Sequence, residues 1–175
     1  MGQDTLKVGI VGSRKYENRQ KIKEFIFKLK NDKGTNTVIV SGGCPRGADY
    51  YAKKYALELG LQYEEYPPVH VSHNLYCPLH ERNYGKPYHV SNFFKRNKQI
   101  AIHSEYVVAF IPRGVESRGT MSTINYAKKY ALELGLQYEE YPPAHKSHNL
   151  YCPLHERNYG KPYHVSNFFK RNKQI

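Results

Sequence analysis

Three glycine-containing loops of this 175-residue chain contain residue types that are suited to binding phosphate. Glycine lets backbone N–H groups approach an anion closely, and arginine can hold two phosphate oxygens through parallel hydrogen bonds. The sequence therefore predicts a phosphate-binding site built from these loops. The predicted binding residues in the three loops are Gly12, Ser13, Arg14, Ser41, Gly42, Gly43, Arg46, Gly47, Asp49, Pro112, Arg113, Gly114, Gly119 and Thr120.

The arginines of these loops are the cations that we expect to contact the phosphate: Arg14, Arg46, Arg113 and Arg118. The alternative interpretation is that the glycines form tight turns without a ligand and that the arginines are ordinary surface residues. A single glycine loop is a weak signal. Three such loops, each with an arginine, favour the binding site.

Asp49 is the acidic residue that we predict to act on a bound ligand, and it is the only candidate catalytic residue. It is placed to serve as a base, as a ribose ligand or as a ligand of metal-bound water. The alternative is that Asp49 anchors its loop, because a carboxylate in the first turn of a helix interacts favourably with the helix dipole. Glu116 is the other acid near the predicted site.

A histidine-rich segment offers a second kind of chemistry. His70, His73, Cys77 and His80 are residue types that bind zinc, and the same four recur as His145, His148, Cys152 and His155. Their spacing matches no standard zinc finger, so we assign none of them as a metal ligand. The interpretations that stay open are zinc binding, a lid over the ligand and a plain surface loop.

Elements that alternate between strand and helix must position these loops. Short apolar runs predict strands at 7–12, 37–41, 61–66, 106–111 and 136–141. Helical spacing of apolar residues predicts helices between them, one beginning at Pro45 and another over 90–102 with Phe93 and Phe94 inward. This alternation is typical of an α/β protein with a Rossmann-like, doubly wound parallel sheet. The loops then lie at the carboxyl ends of the strands, where such sheets bind ligands.

The chain contains a nearly exact internal repeat. Residues 51–100 recur as 126–175 and differ only at Val69 against Ala144 and Val71 against Lys146. The copied block lacks the opening strand and glycine loops, so it is not a complete folding unit. We predict a Rossmann-like nucleotide-binding domain over 1–141 and an appendage over 142–175 that duplicates 67–100. Domain exchange between chains, packing on the sheet edge and disorder stay open for the appendage.

Bulk composition limits the class of partner. The formal net charge of +12 favours an anionic partner but does not distinguish nucleotides from RNA or DNA. No stretch approaches the roughly 20 apolar residues that cross a bilayer, so we expect no membrane partner. Three cysteines without framework spacing are consistent with a reducing cytoplasm.

The motifs resemble those of the SLOG superfamily, a Rossmann-like group that includes the DprA/Smf DNA-processing proteins and the LONELY GUY phosphoribohydrolases. The resemblance covers about residues 7–135 and is greatest to the YspA-like branch. It depends on Gly12-Ser13-Arg14, on Arg46-Gly47-Ala48-Asp49, on Arg96-Asn97, and on Pro112 and Gly114 with Gly119-Thr120. It implies a nucleotide or nucleotide-derived ligand at these loops, adds Arg96 and Asn97 to the site, and implies a homodimer.

The resemblance does not imply one activity. LONELY GUY enzymes have a glutamate three positions after the motif threonine, whereas this chain has Thr123 there. Whether the chain is a nucleotide N-glycosidase-like hydrolase is therefore left open. We predict that it binds a phosphate-bearing nucleotide or derivative, as a sensor, a sequestering protein or a nucleotide-processing hydrolase. No cofactor is predicted.

Binding of single-stranded DNA or RNA is the alternative function. The net charge and the 17 tyrosines allow it, because tyrosine stacks on bases and lysine pairs with phosphates. The basic residues are scattered along the chain, however, and do not form a single stripe. A scaffold without a ligand is the third possibility.

Overall fold

A computed structural model describes residues 5–133 and 165–170. Four strands and four helices alternate along the first segment, and one strand forms the second. The elements are β1 (Leu6–Gly12), α1 (Arg19–Lys33), β2 (Thr37–Ser41), α2 (Ala48–Glu58), β3 (Gln62–Glu65), α3 (Ser91–Ile102), β4 (Tyr106–Phe110), α4 (Arg118–Glu133) and β5 (Val165–Lys170). A single 3₁₀ turn, Glu81–Asn83, interrupts the long loop between β3 and α3. No helix among these described residues is long and apolar enough to cross a membrane.

The strands form one sheet in the order β3-β2-β1-β4-β5. β1 lies at the centre and pairs in parallel with both β2 and β4, and β2 pairs in parallel with β3. The carboxyl ends of these four strands therefore meet at one edge. Chain order reverses direction on the two sides of β1, which is the doubly wound arrangement. The predicted Rossmann-like α/β class is confirmed.

Both faces of the sheet are covered by helices. On one face, Val8, Ile10 and Ile39 pack with Ile22 and Ile26 of α1 and with residues of α2. On the other face, a second cluster joins Val11, Val38, Val40 and Val107 to Ile100, Ala101, Ile124 and Ala127 of α3 and α4. Each large side chain buried in this way contributes about 1.5–3 kcal/mol. Burial on both faces explains why the strands read as continuous apolar runs.

Two local predictions were wrong. α2 begins at Ala48 and not at Pro45, because Gly47 has a φ of +72° that no helical residue adopts. Phe94 is 43% exposed, although α3 was expected to bury it. The buried positions of α3 are Asn92, Asn97, Ile100 and Ala101, and Phe94 falls outside that stripe.

One part of the repeated sequence has the same secondary structure in both copies, and another part does not. The eight residues 51–58 of α2 recur as 126–133 of α4, so one sequence forms a helix on each face of the sheet. In contrast, residues 91–95 lie in α3, whereas their copies 166–170 lie in β5, which pairs antiparallel with β4. This segment of the duplicated part packs on the sheet edge. The predicted strand at 136–141 and the domain boundary at 141/142 lie outside the described residues.

Candidate functional site

A cavity of about 330 Å³ lies between the β1 loop, α3 and the start of α4. The end of β1 and its loop, the β2–α2 segment, one face of α3 and the segment entering α4 supply its walls. The lining residues are Val11, Gly12, Ser13, Arg14, Cys44, Asp49, Phe93, Arg96, Asn97, Ile100, Glu116, Ser117, Arg118, Gly119, Thr120 and Thr123. The cavity thus lies at the carboxyl edge of the parallel strands, as expected for this architecture.

The β1 loop is held by backbone hydrogen bonds. The N–H of Ser13 donates to the carbonyl of Phe110 at 2.9 Å and so extends the pairing of β1 with β4. The carbonyl of Ser13 accepts from the N–H of Ala48 at 3.3 Å, and Gly47 packs against the Ser13 carbonyl and the Arg14 backbone. A side chain at position 47 would overlap these atoms. Gly47 therefore joins two loops to each other and does not approach a ligand.

Arg96 links α3 to the β2 loop. Its Nη1 donates to the carbonyl of Gly42 at 2.6 Å, and its Nε donates to Oδ1 of Asn97 at 3.0 Å. A Cβ at position 42 would overlap the Arg96 guanidinium, so a larger residue there would displace Arg96 from this carbonyl. Burial lowers the pKa of Arg96, and the nearby Asp49 carboxylate opposes that shift. Two of the five guanidinium donors are thus already bonded within the protein.

Asn97 extends this link to α4. Its Nδ2 donates to the carbonyl of Gly119 at 3.1 Å. Arg96 and Asn97 together therefore join α3 to the β2 loop and to the first turn of α4. Because both side chains also line the cavity, they hold two of its walls at a defined separation.

Asp49 is a buried carboxylate at the base of the cavity. The side chain is at the start of α2, and the residue is 8% exposed. Its Oδ2 accepts from the backbone N–H of Cys44 at 3.3 Å, and the N–H of Gly42 also donates to the carboxylate. Burial raises the pKa of Asp49, while the Arg96 guanidinium and the two backbone donors oppose that rise.

The first turn of α4 presents polar groups to the cavity. Backbone N–H groups in the first turn of any helix lack an intrahelical acceptor, and the helix dipole adds partial positive charge. The hydroxyls of Ser117 and Thr120 bond to each other at 2.6 Å, and Arg118 is exposed beside them. Such a helix start is suited to an anion. Thr123, which stands in place of the expected glutamate, is buried and lines the same wall.

The structure brings together half of the residues predicted from sequence. Those that line the cavity are Gly12, Ser13, Arg14, Asp49, Arg96, Asn97, Gly119 and Thr120. Those that do not line it are Ser41, Gly42, Gly43, Arg46, Gly47, Pro112, Arg113 and Gly114. Of the three turns that were expected to converge on one anion site, only that of Gly12 lines this cavity.

A buried polar cluster packs against one side of the Gly43 turn. The side chain of Glu65 lies against Gly43 and is 7% exposed. Its carboxylate accepts from Tyr63 OH at 3.1 Å, from Lys53 Nζ at 2.9 Å and from Asn74 Nδ2 at 2.7 Å. Ser41 joins the same cluster through a 2.7 Å bond to Tyr63. The space beside this turn is thus filled by protein.

The Pro112 loop turns away from the cavity. The N–H of Val115 donates to the carbonyl of Pro112 at 3.2 Å and closes a turn, in which Arg113 and Gly114 are exposed. The chain reaches the cavity only from Glu116 onward. The sequence predicted both Arg113 and Arg118 as phosphate-binding residues. Of these two, only Arg118 lines the cavity.

Several residues that line the cavity were not predicted from the sequence, among them Phe93, Ile100, Cys44 and Thr123. Phe93, Asn97 and Ile100 are separated by four and three residues, so they share one face of α3. That spacing could have shown that Phe93 lies on the same side as Asn97. Cys44 and Thr123 carried no comparable pattern.

The four candidate zinc ligands of the histidine-rich loop are each hydrogen-bonded to another group of the protein. His73 Nε2 bonds to the carbonyl of Leu79 at 2.9 Å, and Cys77 Sγ bonds to Tyr84 OH at 2.9 Å. His70 bonds to Asn92, and Nδ1 of His80 accepts from the N–H of Arg82. In the described part of the chain, no group of three or more histidine, cysteine, aspartate or glutamate residues could hold a metal ion. The second copy of the motif, 145–155, lies outside it.

Comparison with solved structures identifies proteins of similar fold. The molybdenum cofactor binding protein of Rippkaea orientalis has a TM-score of 0.54 and 19% sequence identity, and the match covers 74% of each chain. The molybdenum cofactor carrier protein of Chlamydomonas reinhardtii has a TM-score of 0.51 and 17% identity, over 73% of this chain and 72% of that one. No protein-family model and no curated protein sequence matches the chain. The likeness therefore establishes a shared α/β Rossmann-like fold.

Proposed function

We propose that this chain binds a phosphate-bearing nucleotide or nucleotide derivative in the cavity between the β1 loop, α3 and α4. One observation carries the proposal: Arg14, Arg96 and Arg118 line the same cavity as the first turn of α4. The ion pairs between described residues are Lys7–Glu64, Lys23–Glu58 and Lys53–Glu65, and none of these three arginines takes part in them. Guanidinium groups and helix N–H groups on one cavity are a combination that binds phosphate.

The size of the cavity supports a small ligand. Cavities that hold cofactors and metabolites have volumes of about 300–1,000 Å³, and this one is about 330 Å³. The two solved structures of similar fold are described as proteins that bind or carry the molybdenum cofactor. That description is consistent with a small-molecule ligand for the present chain too.

Asp49 is the residue that would act if the ligand is turned over. Its carboxylate lines the cavity, and burial favours its protonated form. A buried acid next to a phosphate site is suited to donate a proton to a leaving group. Glu116 lies at the exposed rim, and Thr123 carries no acid. The site thus supports binding, as a sensor or sequestering protein, more directly than hydrolysis.

We propose the SLOG superfamily, in its YspA-like branch, as the family of this chain. The Arg96-Asn97 pair, which that resemblance added to the site, lines the cavity and joins its loops. The same resemblance implies a homodimer. The cysteine content favours the cytoplasm, and the internal repeat favours residues 1–141 as the nucleotide-binding domain. Native mass spectrometry of the purified protein tests the stoichiometry and detects any co-purified nucleotide.

Paired arginine variants test the binding site. Arg118 and Arg113 are both exposed and lie five positions apart, but only Arg118 lines the cavity. We expect Arg118→Gln to weaken binding of ribose 5-phosphate roughly tenfold, since a hydrogen bond to a charged group contributes about 1.5–3 kcal/mol. Arg113→Gln should leave the affinity unchanged. Isothermal titration calorimetry measures both, and equal losses would contradict the assignment of the cavity.

A salt titration separates a small ligand from nucleic acid. Neutralisation of several phosphates releases counterions, so binding of a DNA or RNA strand weakens steeply and log-linearly with salt. A ligand held by a few contacts should show a shallow dependence. A steep slope with single-stranded DNA, together with no binding of nucleotides, would favour the alternative function.

A further inference from the structure

This inference rests on the proposed function and concerns the chemistry of the ligand. We infer that Phe93 is the residue that recognises the base of the ligand, by stacking on its planar heteroaromatic ring. Phe93 lines the cavity from α3, and the groups at the start of α4 that are proposed to bind the phosphate line the same cavity. It is the only aromatic side chain among the described residues that line the cavity.

The α3 wall has an apolar part that suits a ring. Phe93 and Ile100 line the cavity from one face of the helix, together with Val11 at the end of β1. Phe93 is only half-buried, although Ile100 and Val11 are 1% and 4% exposed. An aromatic side chain that remains partly uncovered on the wall of a cavity gains stabilisation when a ligand ring covers it.

Two guanidinium groups flank the Phe93 ring. The Cζ atoms of Arg14 and Arg96 each lie 5.9 Å from the ring centroid. This distance is near the outer limit of a cation–π contact, so the ring is approached but not tightly covered. Arg14 is exposed, and its guanidinium can move to accommodate a ligand. Planar guanidinium groups themselves stack on aromatic rings, and their positive charge attracts the phosphate of a ligand whose base lies against Phe93.

The histidine-rich loop holds Phe93 in position. The rings of His70 and Tyr88 lie 5.2 Å and 6.3 Å from that of Phe93, each nearly perpendicular to it. His70 is bonded in turn to Nδ2 of the buried Asn92 at 3.2 Å, and the same amide donates to the carbonyl of Pro87. A ring that is fixed before binding loses little conformational freedom when the ligand arrives.

The test compares phosphates with and without a base. Binding of AMP, GMP, CMP and UMP is measured against ribose 5-phosphate by calorimetry, in the wild type and in Phe93→Leu. Phe94→Leu is the matched control, because Phe94 is the next residue of α3, is 43% exposed and does not line the cavity. Phe93→Tyr keeps an aromatic ring and should restore binding. Thermal unfolding without ligand shows whether each variant is folded.

We expect at least one nucleotide to bind roughly tenfold more tightly than ribose 5-phosphate, as base–aromatic stacking provides. Phe93→Leu should remove that preference, while Phe94→Leu and Phe93→Tyr should retain it. If ribose 5-phosphate and all nucleotides bind equally, the inference about Phe93 is wrong and the phosphate site stands. If none of the probes binds, the proposed function fails as well. Equal losses in Phe93→Leu and Phe94→Leu would also overturn the inference.

Discussion

Asp49 shows how a single residue can combine a structural and a chemical role. Its carboxylate accepts hydrogen bonds from the backbone of the β2 loop and faces the cavity beside Arg96. Burial raises its pKa, so the folded protein disfavours the charged form relative to the unfolded chain. This penalty is the cost of keeping an acid inside the site, and it makes the stability of the protein depend on pH.

Asp49→Asn should reduce that pH dependence. With the folded-state pKa above the unfolded value of about 3.9, the contribution of Asp49 is fully present below that pH and is lost as pH rises through the folded pKa. The free energy of unfolding of Asp49→Asn, relative to wild type, should therefore increase with pH, by at most about 1.4 kcal/mol per unit. Urea denaturation between pH 4 and pH 8 measures it.

The matched control for this prediction is Asp32→Asn, which changes an exposed aspartate in α1. Differences between variant and wild type are compared at each pH, because the other carboxylates titrate equally in both proteins. A difference for Asp49→Asn that stays constant from pH 4 to pH 8 would show that Arg96 fully compensates the burial.

At the scale of elements, α3 organises the site. It supplies Phe93, Arg96, Asn97 and Ile100 to the cavity, and it packs against α4, which supplies further lining residues. Two of its side chains reach carbonyls of different segments, Gly42 in the β2 loop and Gly119 in the first turn of α4. Helical spacing places these residues on one face, so a single element determines how the β2 loop and α4 are separated.

Asn97→Ala should loosen the start of α4. The substitution removes the donor to the Gly119 carbonyl and leaves Nε of Arg96 without its acceptor, which costs about 1–3 kcal/mol of folding free energy. Hydrogen exchange of the backbone amides at 121–124, which can donate to carbonyls one turn earlier, should become faster, as measured by mass spectrometry. Asn125→Ala, at an exposed position of α4, is the control and should change neither quantity. Unchanged exchange at 121–124 in Asn97→Ala would show that the link does not hold this turn.

At the scale of the whole molecule, the described core of the domain is contained in the first 133 residues. Every described residue that lines the cavity lies between Val11 and Thr123. β5 adds an edge strand beside β4. We predict that the duplicated sequence after residue 141 is not needed to form the walls of the site.

Truncation after Tyr141 tests this division of the chain. We expect residues 1–141 to bind the same phosphate-bearing ligand with an affinity within about twofold of the full chain, because the lining residues between Val11 and Thr123 that the structure describes are retained. Stability should decrease modestly, since β4 loses the partner at its edge. Calorimetry and thermal unfolding measure both quantities. Loss of binding in the truncated chain would place an essential part of the site in residues 142–175.

The sequence alone was sufficient for the order and type of the elements from β1 to α4, but not for β5. The apolar runs of β1, β2 and β4 and the helical spacing of α1 are local patterns, and each follows from burial on one or both faces. The parallel sheet and the edge at which ligands bind follow from the alternation of these elements. Arg14 and Asp49 could therefore be assigned to that edge from the sequence pattern, whereas only the resemblance to the SLOG superfamily added the Arg96-Asn97 pair.

Only the tertiary structure decided which groups at that edge face the cavity. Glu65, which lies 22 positions after Gly43 in the chain, fills the space beside that glycine, and Arg96 reaches the carbonyl of Gly42 from 54 positions away. Contacts between residues so distant in sequence leave no local pattern. The duplicated segment makes the same point, because 91–95 are helical in α3 and their identical copies 166–170 form a strand beside β4. A side chain's neighbours, and not its sequence context alone, determine its structure and its role.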